Sequence, residues 1–99
     1  MNIVQEFPAN CAILHLSGRL DTATAPELER QISTLSCTNL ILDMQELTYV
    51  SSAGLRVLLM AHKKFSPSGT MKLTGVCDAV KDVLDITGFS DILTVEQGD

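Results

Sequence analysis

The sequence predicts an α/β fold, a mixed central sheet with an opening hairpin and parallel β-α crossovers, in the order ββαβαβαβ. Three observations carry this. Two short apolar runs at the start are separated by a tight turn, the signature of a hairpin. Beyond them, short apolar runs alternate with segments whose apolar residues recur at helical spacing, as in parallel strands joined by crossover helices. The 99 residues, 45% of them hydrophobic, are enough for one packed domain over residues 1–99.

Taken in order, residues 1–7 read as a short edge strand and Pro8-Ala9-Asn10 as a turn. Cys11-Ala12-Ile13-Leu14-His15-Leu16 is a second strand, closed by Ser17-Gly18. Thr24-Ala25-Pro26-Glu27 has the spacing of a capping box, with Pro26 tolerated in the first turn. Ala25, Leu28, Ile32 and Leu35 then recur at helical spacing, giving a helix to about Ser36. Leu40-Ile41-Leu42 marks a short strand over residues 39–43, apolar enough to be buried on both faces. A loop follows, and Ser51 or Ser52 caps the next helix. Its Leu55, Leu58, Leu59, His62 and Phe65 share a face, and Pro67-Ser68-Gly69 stops it. Residues 70–75 read as a strand with Met71 and Leu73 on one side. Asp78 caps a third helix, with Val80, Val83, Leu84 and Thr87 on one face and Gly88 at its end. Ile92-Leu93-Thr94-Val95 is a last short strand, and residues 97–99 are a tail.

Composition narrows the function classes. The formal net charge of −5 argues against direct nucleic-acid binding and anionic membrane surfaces, which reward basic patches. The adjacent Lys63 and Lys64 read as a solvated pair at a helix end. Cys11, Cys37 and Cys77 are odd in number and far apart, so neither a disulfide framework nor a zinc site is expected. No apolar run approaches the length of a membrane span and no secretory leader is evident, so the expected location is the cytoplasm, without membrane insertion.

Enzymatic signatures are also missing. There is no Gly-rich nucleotide loop, and the serines sit in Val50-Ser51-Ser52-Ala53-Gly54 rather than in a nucleophile elbow. His62 lies ten residues along Ser52's own helix, about 15 Å away, too far for proton transfer. His15 falls inside a strand pattern. Both histidines read as partly buried structural residues. Asp21, Asp43 and Glu46 fall near predicted strand ends as scattered acids without a histidine partner, a weak metal signal that surface turns explain. No catalytic residue, metal or cofactor is expected.

The segment from Leu42 to Arg56 combines a buried strand, a loop, two hydroxyls and a helix start. By spacing alone, those hydroxyls need be no more than helix caps. The position also accommodates a phosphoryl group, because free N–H groups and the positive end of the helix dipole favour an anion there. Val57 and Met60 fall opposite Leu55, Leu58 and Leu59, so they are expected to be exposed and to offer a small apolar contact to a partner.

Tyr49-Val50-Ser51-Ser52-Ala53-Gly54-Leu55-Arg56, together with Leu16-Ser17-Gly18-Arg19-Leu20-Asp21, resembles the STAS family of bacterial anti-sigma-factor antagonists and related anion-transporter domains. The resemblance extends over nearly the whole chain and agrees with the order of elements. It implies a phosphorylation-controlled binding module and not an enzyme. In its unphosphorylated form the module would sequester an anti-sigma factor that is also a serine kinase of the GHKL type, freeing the sigma factor. Phosphorylation would break the complex and a phosphatase would reset it. Alignment on Gly54 puts the phosphoacceptor at Ser52, with Ser51 the lesser candidate. Many members carry Asp just before the acceptor, where this chain has Ser51, as another branch does. Asp21, Ser51, Ser52, Ala53, Gly54, Arg56, Val57 and Met60 are the expected partner-binding residues. The alternative is a STAS subunit of a membrane lipid or anion transport complex in which Ser52 is never phosphorylated. A small hydrolase using Ser51 or Ser52 is disfavoured, since no base lies within reach.

Overall fold

The opening residues form the expected hairpin. β1 (Asn2–Glu6) and β2 (Cys11–Leu20) pair antiparallel around the Pro8-Ala9-Asn10 turn, where Cys11 N donates to Pro8 O at 3.0 Å and Asn10 takes φ +57°. The structure, a computed structural model, describes residues 1–96, so the tail expected at residues 97–99 lies outside it. β3 (Asn39–Val50), β4 (Thr70–Thr74) and β5 (Thr94–Glu96) follow β2 in parallel, and the described residues form a five-stranded sheet in the order β1-β2-β3-β4-β5.

Each parallel step moves one strand in the same direction, so right-handed crossovers put α1 (Ala25–Ser33), α2 (Ser52–Phe65) and α3 (Asp78–Thr87) on one face. Burial alternates accordingly. Ala12, Leu14, Leu16, Leu40, Leu42, Met44, Met71 and Leu73 are buried under the helices, whereas Ile13, His15, Ile41, Asp43, Lys72 and Thr74 on the opposite face are only partly so. Leu28 and Ile32 of α1, Leu58, Ala61 and Phe65 of α2, and Val80 and Leu84 of α3 complete the core.

Several boundaries differ from expectation. β2 continues past Ser17-Gly18 to Leu20, with Gly18 at φ +94°. β3 continues to Val50, through the segment read as a loop. The cause is irregular pairing: register shifts lie between His15 and Ser17 and between Gly18 and Arg19, each adding a residue on β3. Buried positions there fall at Met44, Leu47 and Val50, every third residue, so the alternation that identifies a strand is lost.

The capping box does not form. Thr24 is the N-cap of α1, but its hydroxyl donates to Arg19 O at 2.8 Å and accepts from Asp21 N at 2.9 Å instead. α1 stops at Ser33, short of Ser36, and its last carbonyls are covered from another helix. Lys64 Nζ of α2 donates to Ile32 O at 2.8 Å and to Ser33 O at 3.1 Å. Cys77, not Asp78, is the N-cap of α3, and Thr87 is exposed. Gly88, left-handed at φ +80°, ends α3 as expected. A 3₁₀ turn (Phe89–Asp91) follows, so β5 starts at Thr94 rather than Ile92. No described helix is long and apolar enough to cross a membrane.

Replacing Lys64 by Met should remove both bonds to the end of α1. The expected loss is about 1 kcal/mol and about 4–8 °C in Tm by calorimetry. Leu42→Ala, in the fully buried centre, should cost about 2–5 kcal/mol in the same measurement.

Candidate functional site

β4 pairs with β3 only from Asn39 to Asp43, while β2 stays paired with β3 as far as Leu20 and Val50. The two strands therefore extend together beyond β4. Ser51 N donates to Leu20 O at 2.9 Å, which ties the end of one strand to the end of the other, and α2 begins at the next residue.

Ser51 has extended backbone angles (φ −90°, ψ 176°), and its Oγ accepts from Gly54 N at 3.3 Å. It is the N-cap of α2, so the cap left open between two serines belongs to Ser51. Ser52 is the first helical residue. It is exposed, and its hydroxyl makes no hydrogen bond among the described residues. The first turn of α2 has no acidic residue, while His62, Lys63 and Lys64 occupy its last turn. The positive end of this dipole therefore faces solvent with no carboxylate of its own helix beside it.

Gly54 explains how the helix start fits so closely. A Cβ at this position would stand 2.7 Å from Leu20 Cγ and 2.9 Å from Leu20 O. Only a residue without a side chain lets the first turn of α2 rest on the end of β2. The sequence signal is a glycine in a helical turn where alanine would be the better helix former.

Asp21 follows β2 as Ser51 follows β3, so the Leu20–Val50 register brings these residues to the same end of neighbouring strands. The Asp21 Oδ1 accepts from Ala23 N at 3.0 Å and Thr24 N at 3.1 Å, an Asx-type turn. Partial desolvation would raise its pKa. Hydrogen bonds from the Thr24 N–H and hydroxyl and from the Ala23 N–H, with the Arg19 charge, outweigh that and hold it below the usual aspartate value. Arg19 also lies over the Tyr49 ring, 4.2 Å from its centroid. Arg19 and Tyr49, both exposed, border the site; each lies within one of the two motifs, but their adjacency arises only from strand pairing.

Of the remaining expected residues, Arg56 is exposed, and Ala53 and Met60 are half-buried against the core. Val57 corrects the sequence reading, since it is buried, at 4% exposure. α2 packs on both the sheet and α1, so its buried arc takes in Val57 beside Leu58 and Ala61, while Arg56 and Lys64 stay exposed. Leu59, expected to be buried, is half-exposed instead.

The histidines fall away from the serines. His15 points to the sheet face opposite the helices, where it meets Asp43, so that acid does have a histidine partner. His62 is half-buried on α2, and its Nδ1 has no hydrogen-bond partner among the described residues. No group of three or more His, Cys, Asp or Glu among the described residues is arranged to hold a metal ion. A shallow depression lined by Gln5, Phe7, Leu35 and Cys37 lies at the other end of the strands.

Residues 2–98 match one family model, described as the STAS domain. The putative anti-sigma factor antagonist BtrV of Bordetella bronchiseptica is 33% identical over 84 residues, covering 81% of this chain and 72% of that protein. An anti-sigma factor antagonist from Mycobacterium paratuberculosis superposes with a TM-score of 0.86 at 22% identity, covering 95% of this chain and 83% of that one. The Bacillus cell fate determinant SpoIIAA in its phosphorylated form superposes with a TM-score of 0.79 at 17% identity, covering 99% of this chain and 92% of that one.

Gly54→Ala should destabilise the fold by about 1–3 kcal/mol despite alanine's helix advantage of about 1 kcal/mol, because the added carbon meets the Leu20 backbone. Ser51→Ala should cost about 1 kcal/mol for the lost cap, whereas Ser52→Ala should stay within about 0.5 kcal/mol. Urea unfolding followed by circular dichroism checks all three.

Proposed function

The chain belongs to the STAS domain family, and on that premise we propose that it is an anti-sigma-factor antagonist switched by phosphorylation at Ser52. Unphosphorylated, it binds a serine kinase of the GHKL type that is itself an anti-sigma factor, and so frees a sigma factor. ATP and magnesium chemistry belong to that kinase; this chain supplies a substrate hydroxyl and a docking rim, in the cytoplasm. A phosphatase resets Ser52.

The observation that carries this reading is the division of labour between the two serines. The Ser51 hydroxyl is committed to Gly54 N, whereas the Ser52 hydroxyl is exposed and makes no hydrogen bond among the described residues, at a helix end without acidic residues. Ser52 is thus the acceptor a kinase can reach without dismantling the cap. The relatives named as anti-sigma factor antagonists support the binding role, and the phosphorylated Bacillus determinant supports the modification.

A phosphate adds about −1.5 to −2 charges at neutral pH. Within the protein it meets the open end of α2 and is tolerated. At an interface it meets a surface shaped for a neutral hydroxyl, and an unpaired buried dianion is costly. A loss of only about 2.7 kcal/mol weakens binding about a hundredfold. The rim comprises Asp21, Ser51, Ala53, Arg56 and Met60, with Gly54, itself buried, seating the helix start beneath them. Val57 is left out because it is buried.

Incubation with lysate of the native cell and ATP should yield one phosphate on Ser52 by mass spectrometry, and none on the Ser52→Ala variant. Ser52→Asp should remain folded and bind the captured kinase at least about tenfold more weakly than wild type. Equal affinity of the two, or co-purification with a membrane transport ATPase while Ser52 stays unmodified, would overturn the proposal.

A further inference from the structure

On the sheet face opposite the helices, charged side chains from three strands converge. His15 of β2 stands opposite Asp43 of β3 in the parallel register, with Nδ1 2.6 Å from Asp43 Oδ2. Its other ring nitrogen, Nε2, is hydrogen-bonded to Glu6 Oε1 of the edge strand β1. A neutral imidazole has one N–H and can donate to only one of two carboxylates. The imidazolium has two and satisfies both.

β1 is otherwise lightly held. Only Ile3 in it is partly buried, and Val4 is 59% exposed. Besides the backbone ladder, its side-chain ties are the His15 bridge and a bond from Gln5 Nε2 to Gln31 Oε1 of α1 at 2.6 Å. We propose that protonated His15 is a clasp that fastens β1 to the sheet, and that loss of its second proton loosens β1 and bares the edge of β2.

The geometry fixes which arm opens. The Asp43 side chain is 27% exposed, and its Oδ1 also accepts from Gln45 N at 3.1 Å, so it stays in place. Glu6 is 59% exposed and rehydrates easily, so it lets go. Among the described residues, the other charged groups on this face are Glu46 of β3, opposite Ser17, Lys72 of β4, which pairs with Glu96 of β5 at 3.2 Å, and, at the far end of β2, Arg19, which is engaged with Asp21 and Tyr49. With Lys72 paired to Glu96, the immediate surroundings of His15 are anionic.

The hydrogen bond to Glu6, then that to Asp43, raise the His15 pKa above the ordinary 6.5, with slight desolvation opposing. A group raised in the folded state gives its full stabilisation below 6.5 and loses it as pH climbs through the folded value. β1 is therefore fastened in mildly acidic solution and loosened on the alkaline side. An unpaired strand edge accepts another strand, so the loosened form exposes a pairing surface that the fastened form hides.

Amide hydrogen exchange of residues 3–6, corrected for the intrinsic pH dependence of exchange, tests this directly. In the wild type, protection should fall by about tenfold between about pH 5.5 and about pH 9. In His15→Gln it should be low and flat across that range. Glu6→Gln, a change at an exposed site that leaves the core untouched, should also flatten the profile and lower the His15 pKa in an NMR titration. A flat wild-type profile, or an unchanged slope in either variant, would overturn the clasp.

Discussion

The parallel pairing of β2 with β3 is the constraint on which the rest of the molecule hangs. It continues past the point where β4 ends, and Ser51 N closes it on Leu20 O. A strand end fixed in this way leaves no slack before α2. The direction of the helix axis, the seat of its first turn on Leu20 and the outward position of Ser52 all follow from that ladder. Gly54 is its counterpart in the sequence, since a close approach of helix to strand is feasible only where no Cβ intervenes.

The electrostatic arrangement of the site is economical for a chain of net charge −5. Asp21, the acid at this end of the strands, has its charge taken up by its own turn and by Arg19. The start of α2 has no carboxylate within its first turn, while the basic residues lie at its far end. A negative group added at Ser52 would thus enter a place prepared for it by backbone N–H groups, with the neighbouring carboxylate already engaged.

How much of this was legible in the sequence depended on the range of the interaction. Elements defined by local periodicity were readable: the hairpin, the apolar faces of α1 and α3, and the Gly88 stop. The second half of β3 was not, because bulges replaced period two with buried residues at Met44, Leu47 and Val50. Thr24 looked like half of a capping box, but its hydroxyl was claimed by the Asp21 turn. Val57 looked exposed because the buried face was centred on Leu55 and Leu59, whereas the buried arc of α2 is turned toward Val57 and Ala61 and leaves Leu59 half-exposed. At the site, the serines and Gly54 could be read from their motif, whereas the Arg19–Tyr49 stack and the Glu6–His15–Asp43 bridge exist only through strand register.

The bond from Lys64 to the end of α1 has a consequence for how the chain is made. Lys64 lies 32 residues beyond Ile32, whose carbonyl it covers. During synthesis α1 emerges first, its last turn closed only by local bonds such as Leu35 N to Ile32 O, and the Lys64 bonds form only after α2 has followed. The β2–β3 ladder imposes a similar delay, since Asp43 emerges 28 residues after His15. Both ties join segments far apart in the chain, so the N-terminal third is not a unit that folds on its own as it appears. The surface around Ser52, built where β2 and β3 end together, needs both of those distant segments in place.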